Sequence, residues 1–200
     1  MKRLEFFFDF SSPYSYVASE SIESIASKYD RTVDFTPILL GAVFKVTGGR
    51  PLTDLHASKS GYSARDFARS ARFFGVPFKM PTVFPLATVT AARAMVWLQA
   101  QRSDKAASFM HAVFRAFFAE DRNISELAVV ANVAAQVGID ATALAAGVQE
   151  QSVKDRLKAH VDEAIARGVF GAPTIFVDGE MFWGNDRLAQ VERWLERGPF

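Results

Sequence analysis

Apolar and polar positions change period three times along this chain, and the changes divide it. The first stretch is a dense apolar run, Leu4 then Phe6-Phe7-Phe8-Asp9-Phe10, ending abruptly at Ser11-Ser12-Pro13. A continuous apolar run closed by a turn signal predicts a buried strand, here over 4–10. Serine before proline, ahead of a helix-period segment, predicts an N-cap and first turn, so a helix should run over 14–28. Tyr29-Asp30-Arg31 breaks that pattern, and the Val-, Phe-, Thr- and Ile-rich stretch 32–40 reads as a second strand. Strand, helix and strand joined by a helical crossover imply a parallel pair.

From Gly41 the texture changes. Gly48-Gly49-Arg50-Pro51 is a loop, 62–74 reads as a helix with Arg65, Arg69 and Arg72 along one side, and 75–85 is a proline-punctuated connection. Four further helices follow, over 87–102, 105–120, 125–137 and 141–149, and a fifth over 152–167 stops at Gly168. Ser103-Asp104 and Asp140 are candidate caps for two of them. Strand texture then returns at 173–177, with Asp178-Gly179 as a tight hairpin turn and 180–183 as the partner strand. Asn185 and Asp186 are placed to cap a last helix over 187–197. The order is βαβ, a long helical block, then ββα. It predicts an α/β fold in which residues 1–45 and 165–200 form one discontinuous domain and 46–164 an all-helical insertion.

Composition narrows the chemistry. The 200 residues carry 23 basic and 22 acidic side chains, a net charge of +1, which gives no electrostatic case for nucleic acid or an anionic membrane. No cysteine is present, which excludes disulfides, zinc–thiolate sites and a redox thiol of the protein's own. The N-terminus lacks a secretion signal and no apolar run is long enough to span a bilayer, so a cytoplasmic protein is expected. His56, His111 and His160 are widely separated without accompanying carboxylate motifs, so no metal site is expected. His111 lies in an apolar helix and is expected to face the core. The arginine face of 62–74 reads as solvated or interfacial.

The βαβ…ββα order with a proline before the third strand resembles the thioredoxin-like arrangement, in which that proline is typically cis and faces the first helix N-terminus. Ala172-Pro173 is the candidate. More narrowly, three ordered stretches resemble the glutathione-dependent 2-hydroxychromene-2-carboxylate isomerases, relatives of kappa-class glutathione transferases and DsbA-type oxidoreductases. They are Phe8-Asp9-Phe10-Ser11-Ser12-Pro13-Tyr14-Ser15-Tyr16, then Phe170-Gly171-Ala172-Pro173-Thr174-Ile175-Phe176-Val177, then Phe182-Trp183-Gly184-Asn185-Asp186-Arg187-Leu188.

The resemblance implies that Ser12, in the region where DsbA-type enzymes put a cysteine, contacts the sulfur of bound glutathione; Ser11 fits the motif less well. It implies glutathione contacts at Ala172, Pro173, Trp183, Gly184, Asn185 and Asp186, with Ala172 binding through its backbone as in strand addition. Lys45 and Arg50 are the candidates for the carboxylate of a small aromatic substrate. A cavity between the two parts of the molecule is expected, walled by aromatics such as Phe10, Phe44 and Phe84, and a homodimer is implied. Family members often carry asparagine where this chain has Gly49, and again near Leu86-Ala87. Isomerase, kappa-like transferase and a non-catalytic thioredoxin-fold binder therefore all stay open.

Overall fold

The computed structural model describes residues 3–200. Four strands, β1 (Arg3–Phe8), β2 (Thr32–Pro37), β3 (Thr174–Val177) and β4 (Glu180–Trp183), form one mixed sheet in the order β2-β1-β3-β4. β1 and β2 are parallel, in register from Arg3 opposite Thr32 to Phe8 opposite Pro37. β3 runs antiparallel to β1 and forms a hairpin with β4. The helix α1 (Pro13–Ser27) makes the β1–β2 crossover, and α9 (Leu188–Arg197) follows β4. This is the expected thioredoxin-like βαβ…ββα frame.

Between β2 and β3 lie α2 (Leu40–Thr47), α3 (Ala57–Phe73), α4 (Val89–Ala100), α5 (Ala106–Phe118), α6 (Leu127–Gln136), α7 (Ala141–Gly147) and α8 (Gln151–Ala166). The aromatic run of β1 is continuous because both sheet faces are covered. Phe6 and Phe8 join the large core with α1, α4, α5 and α6, while Phe7 turns to the other face and packs with Val43 of α2 and Val161 and Ala164 of α8. The large core runs without a break from the sheet into the helical block. The Tyr16 ring of α1 stacks on Phe114 and Phe118 of α5 at 5.7 and 5.6 Å, and Phe114 also meets Phe10 at 5.0 Å.

Two elements depart from the expected pattern. The second strand ends at Pro37 rather than at 40, and Leu40–Thr47, for which the pattern gave no element beyond the strand's end, is helical. No side chain of its own caps this helix; its first amide, Leu40 N–H, donates to the Asp9 carboxylate 31 residues away. The cap comes from tertiary structure, so the local sequence carries no start signal. Helix α3 begins at Ala57, five residues before the expected start at 62, behind His56, whose ring nitrogen accepts from Ser58 N–H. Its polar, glycine-containing first turns hid it.

The hairpin turn matches expectation. Asp178 and Gly179 have φ values of 52° and 93°, the left-handed geometry an Asp-Gly turn supplies. Arg31 clamps the turn with two hydrogen bonds of 2.9 Å to the Asp178 carboxylate. No helix among the described residues is long and apolar enough to cross a membrane.

Candidate functional site

The site grows from the β1–α1 junction. Ser12 is the N-cap of α1, with φ −91° and ψ 112°, and Pro13 opens the helix. The Ser12 Oγ accepts from Ser15 N–H at 3.1 Å and donates to the Ala172 carbonyl at 2.9 Å. One hydroxyl thus caps the helix and bridges 160 residues of chain to the loop before β3. The Ala172–Pro173 peptide is cis, as is Phe84–Pro85. The α1 N-terminus therefore faces the Ala172-Pro173 loop, bringing the first two sequence motifs together. Ser12 and Asn185 are each only 5% exposed.

The third motif closes the same region. Gly184 N–H donates to the Pro173 carbonyl at 2.9 Å, locking the start of the β4–α9 turn onto the loop. Gly184 has φ 104° and ψ 152°, backbone open essentially to glycine alone, and a Cβ there would overlap the Asp186 carboxylate. A Cβ at Gly171 would likewise run into the Trp183 indole, which lies half-exposed against Phe170 at 4.9 Å. Asn185 and Asp186 were expected as helix caps. Neither side chain caps: Asn185 to Arg187 form a short 3₁₀ turn, and the buried Asn185 Nδ2 donates to Ser70 Oγ of α3 at 2.6 Å.

These residues edge an open groove of about 980 Å³ between α1, α3 and the β4–α9 turn. Of the expected residues, Ala172, Trp183, Gly184, Asn185 and Asp186 line it. Ser12 meets it through the Ala172 carbonyl. Lys45, in the last turn of α2, and Arg50, in the loop after it, are exposed, do not line the groove and make no ion pair among the described residues. The expected aromatic walls are elsewhere. Phe10 is fully buried in the core, Phe84 packs on Phe67, Phe117 and Phe118, and Phe44 lies against Gly49. The groove's aromatics are Tyr14, Tyr62, Phe73, Phe74 and Trp183 instead.

Helix α3 supplies site residues that the sequence motifs do not mark. Tyr14 Oη donates to Asp66 Oδ2 at 2.7 Å, and Asp66 Oδ1 pairs with Arg69 at 3.1 Å. Arg69 also lies over the Tyr62 ring at 5.3 Å. Of the three arginines on this face, Arg69 is thus committed to the groove wall rather than simply solvated. Burial, with the Asp66 carboxylate beside it, pushes the Tyr14 phenol well above its ordinary range, so it stays a donor at physiological pH.

Beneath the junction sits Asp9, 3% exposed. Its Oδ1 accepts from Ser11 N–H at 2.8 Å, Ser11 Oγ at 3.0 Å and Thr88 Oγ1 at 2.8 Å, and its Oδ2 from Leu40 N–H at 2.6 Å. Burial pushes the carboxyl up, and these four donors pull the other way. Asp9 therefore joins the residue beside Ser12 to the starts of α2 and α4. A lone acid inside a phenylalanine run was the signal that could have found it.

His111 does not face the core. Its Nδ1 and Nε2 lie 3.0 and 2.8 Å from the carboxylates of Glu20 and Glu23, tying α5 to α1. Burial opposes its charge, but the two glutamates outweigh this and push its pKa up to about 9.

Residues 3–196 match the DsbA-like thioredoxin domain. The chain is 31% identical over 196 residues to the 2-hydroxychromene-2-carboxylate isomerase of Pseudomonas putida, covering 97% of this chain and 94% of that protein. It is 28% identical over 211 residues to glutathione S-transferase kappa 2 of Caenorhabditis elegans, covering 100% and 93%. Among solved structures it is similar to that of a selenomethionine-labelled 2-hydroxychromene-2-carboxylate isomerase. That pair has a TM-score of 0.87 and 30% identity, with 98% of this chain and 95% of the other covered.

Proposed function

Because the chain belongs to the 2-hydroxychromene-2-carboxylate isomerase family of DsbA-like thioredoxin domains, we propose that it is a glutathione-dependent cis–trans isomerase of an aromatic hydroxy-acid resembling 2-hydroxychromene-2-carboxylate. The observation that carries this reading is the Ser12 hydroxyl at the α1 N-terminus, 2.9 Å from the Ala172 carbonyl, in a chain without cysteine. A thioredoxin-like frame that lacks its own thiol needs a borrowed one to do sulfur chemistry. The positive end of α1 favours a thiolate over a thiol. The Ser12 hydroxyl has one proton, now donated to Ala172; turning it to the thiolate supplies a charge-assisted bond and frees the carbonyl for the peptide backbone of glutathione.

The chemistry then balances without a consumed reactant. A sulfur lone pair forms a C–S bond to the conjugated double bond, whose electrons move onto the substrate carbonyl as an enolate. The remaining C–C single bond rotates. The enolate re-forms the double bond in the other geometry and expels the thiolate. The protein contributes placement and electrostatics. Asp9 ties α2 to the residue beside Ser12, and Lys45 lies five residues along that helix, roughly 7.5 Å from its start. Lys45 and Arg50 are proposed to hold the substrate carboxylate.

The similarity to kappa-class transferases favours one second reading, in which an electrophile keeps the sulfur. Product analysis separates the two. Interconversion of the isomers with glutathione at catalytic amounts and fully recovered supports the isomerase; consumption of one equivalent supports the transferase. Failure to be retained on immobilised glutathione, with no turnover of either kind, would sink both.

A further inference from the structure

We propose that Asp9 is a positioning residue of this site whose buried carboxylate weakens the hold of the α1 N-terminus on the glutathione thiolate and so keeps that sulfur nucleophilic. This deepens the glutathione reading above and rests on it. The positive end of α1 and the Ser12 hydroxyl both stabilise a thiolate. Such stabilisation lowers reactivity, because the nucleophilicity of a thiolate falls with its basicity. A helix N-terminus can carry a thiol far below neutrality, where it leaves readily but attacks poorly. An isomerase that adds its sulfur and then expels it has to do both, so a group that pulls the other way serves the reaction.

Asp9 is placed to do so. Its carbonyl accepts from Ser12 N–H at 2.9 Å, closing a four-residue turn. Such a turn brings its end Cα atoms within about 7 Å of each other. The carboxylate is tied to the same turn, accepting from Ser11 N–H at 2.8 Å and Ser11 Oγ at 3.0 Å. A sulfur beside Ser12 therefore lies roughly 10 Å or less from this carboxylate.

The hydrogen bonds favour the ionised acid. Ser11 N–H meets Oδ1 and Leu40 N–H meets Oδ2, and a backbone amide can only donate. With both oxygens accepting amides, the junction holds the charged form against burial. All four donors are neutral, so they spread the charge without cancelling it. The cations on the helices that Asp9 reaches, Lys45 of α2 and Arg93 of α4, make no ion pair with it among the described residues. The other acids around α1 are offset. Asp66 pairs with Arg69 at 3.1 Å, Asp186 lies 3.5 Å from Arg187, and Glu20 and Glu23 share His111. Asp9 is thus the uncompensated negative charge of the junction among the described residues.

The ultraviolet absorbance of the thiolate, titrated against pH on the full chain saturated with glutathione, tests this. Asp9→Asn removes the charge, and the thiol pKa of bound glutathione is expected to fall by about one unit, the effect of one charge at about 10 Å in a partly buried site. At a pH where both proteins hold the thiolate completely, kcat should then fall about threefold. Affinity for S-methylglutathione, which has no ionisable sulfur, should stay within about twofold and shows that the site keeps its shape. Thr88→Val keeps the charge and removes one dipole that offsets it, so there the thiol pKa should rise; this variant carries the test if Asp9→Asn does not fold. An unchanged thiol pKa in Asp9→Asn overturns the proposal, as does an unchanged or lowered one in Thr88→Val. A lowered pKa with unchanged kcat also overturns it, because the charge would then not serve reactivity. Loss of S-methylglutathione binding alongside the pKa shift overturns it in favour of a distorted junction. No binding of glutathione to wild type overturns the glutathione reading itself, and the role of Asp9 with it.

Discussion

At the scale of single residues, two hydroxyl and carboxyl groups organise the junction in different ways. Ser12 is at once a helix cap and a donor to the Ala172 carbonyl. Ser12→Ala should lower turnover at least about tenfold, the order of one lost charge-assisted hydrogen bond. It should also cost about 1 kcal/mol in urea denaturation, for the lost cap. Unchanged turnover with that stability loss would reduce Ser12 to a cap. Asp9 offers a sharper case. Both of its oxygens face donors, and two of those, Ser11 N–H and Leu40 N–H, can only donate. Asp9→Asn keeps the shape but turns an NH₂ toward one of them. A loss of about 2 kcal/mol in urea denaturation is expected. A neutral outcome would mean that the loop has an alternative set of partners.

At the scale of elements, helix α1 is held from two sides. Its N-terminus docks on the loop before β3 through Ser12, and its outer face is gripped by α5 through His111 between Glu20 and Glu23. The second grip depends on pH with a definite sign. The folded-state pKa of His111, about 9, lies above the ordinary 6.5. The charged pair therefore stabilises fully below about pH 6.5, and its contribution fades as pH rises through about 9. The glutamates are substantially exposed, so the size is reduced to about 1–2 kcal/mol. His111→Gln should be less stable than wild type by that amount near pH 6, and the gap should close near pH 10. A gap independent of pH would assign the difference to packing instead.

At the scale of the whole molecule, the helical block and the thioredoxin-like frame share a core. Phe114 of α5 touches Phe8, Phe10, Tyr16 and Phe118, so it belongs to both. Phe114→Ala is expected to cost about 3–5 kcal/mol. Its effect should appear equally in far-ultraviolet circular dichroism and in tryptophan fluorescence, since Trp97 reports from α4 and Trp183 and Trp194 from the ββα end. Separate midpoints for the two signals would show that the helical block unfolds on its own.

What could be read from the sequence, and what could not, divides along the range of the interactions. The Phe6-to-Phe8 strand, the Ser12-Pro13 helix start, the Asp140 cap and the Asp178-Gly179 turn all rest on contacts within a few residues, so the local pattern determined them. The three site motifs were legible for the same reason: each is a short stretch with its own chemistry. Their meeting around Ala172 followed from the resemblance to a known fold rather than from any periodicity. Tertiary structure alone decided the rest. Helix α2 starts where it does because Asp9 caps it from the β1–α1 junction, and His111 turns outward because two acids on α1 wait for it. Asn185 abandons its expected cap for Ser70, 115 residues away. Periodicity tells which face of an element is buried but not which partner buries it, and the second wall of the groove is made entirely of such partners.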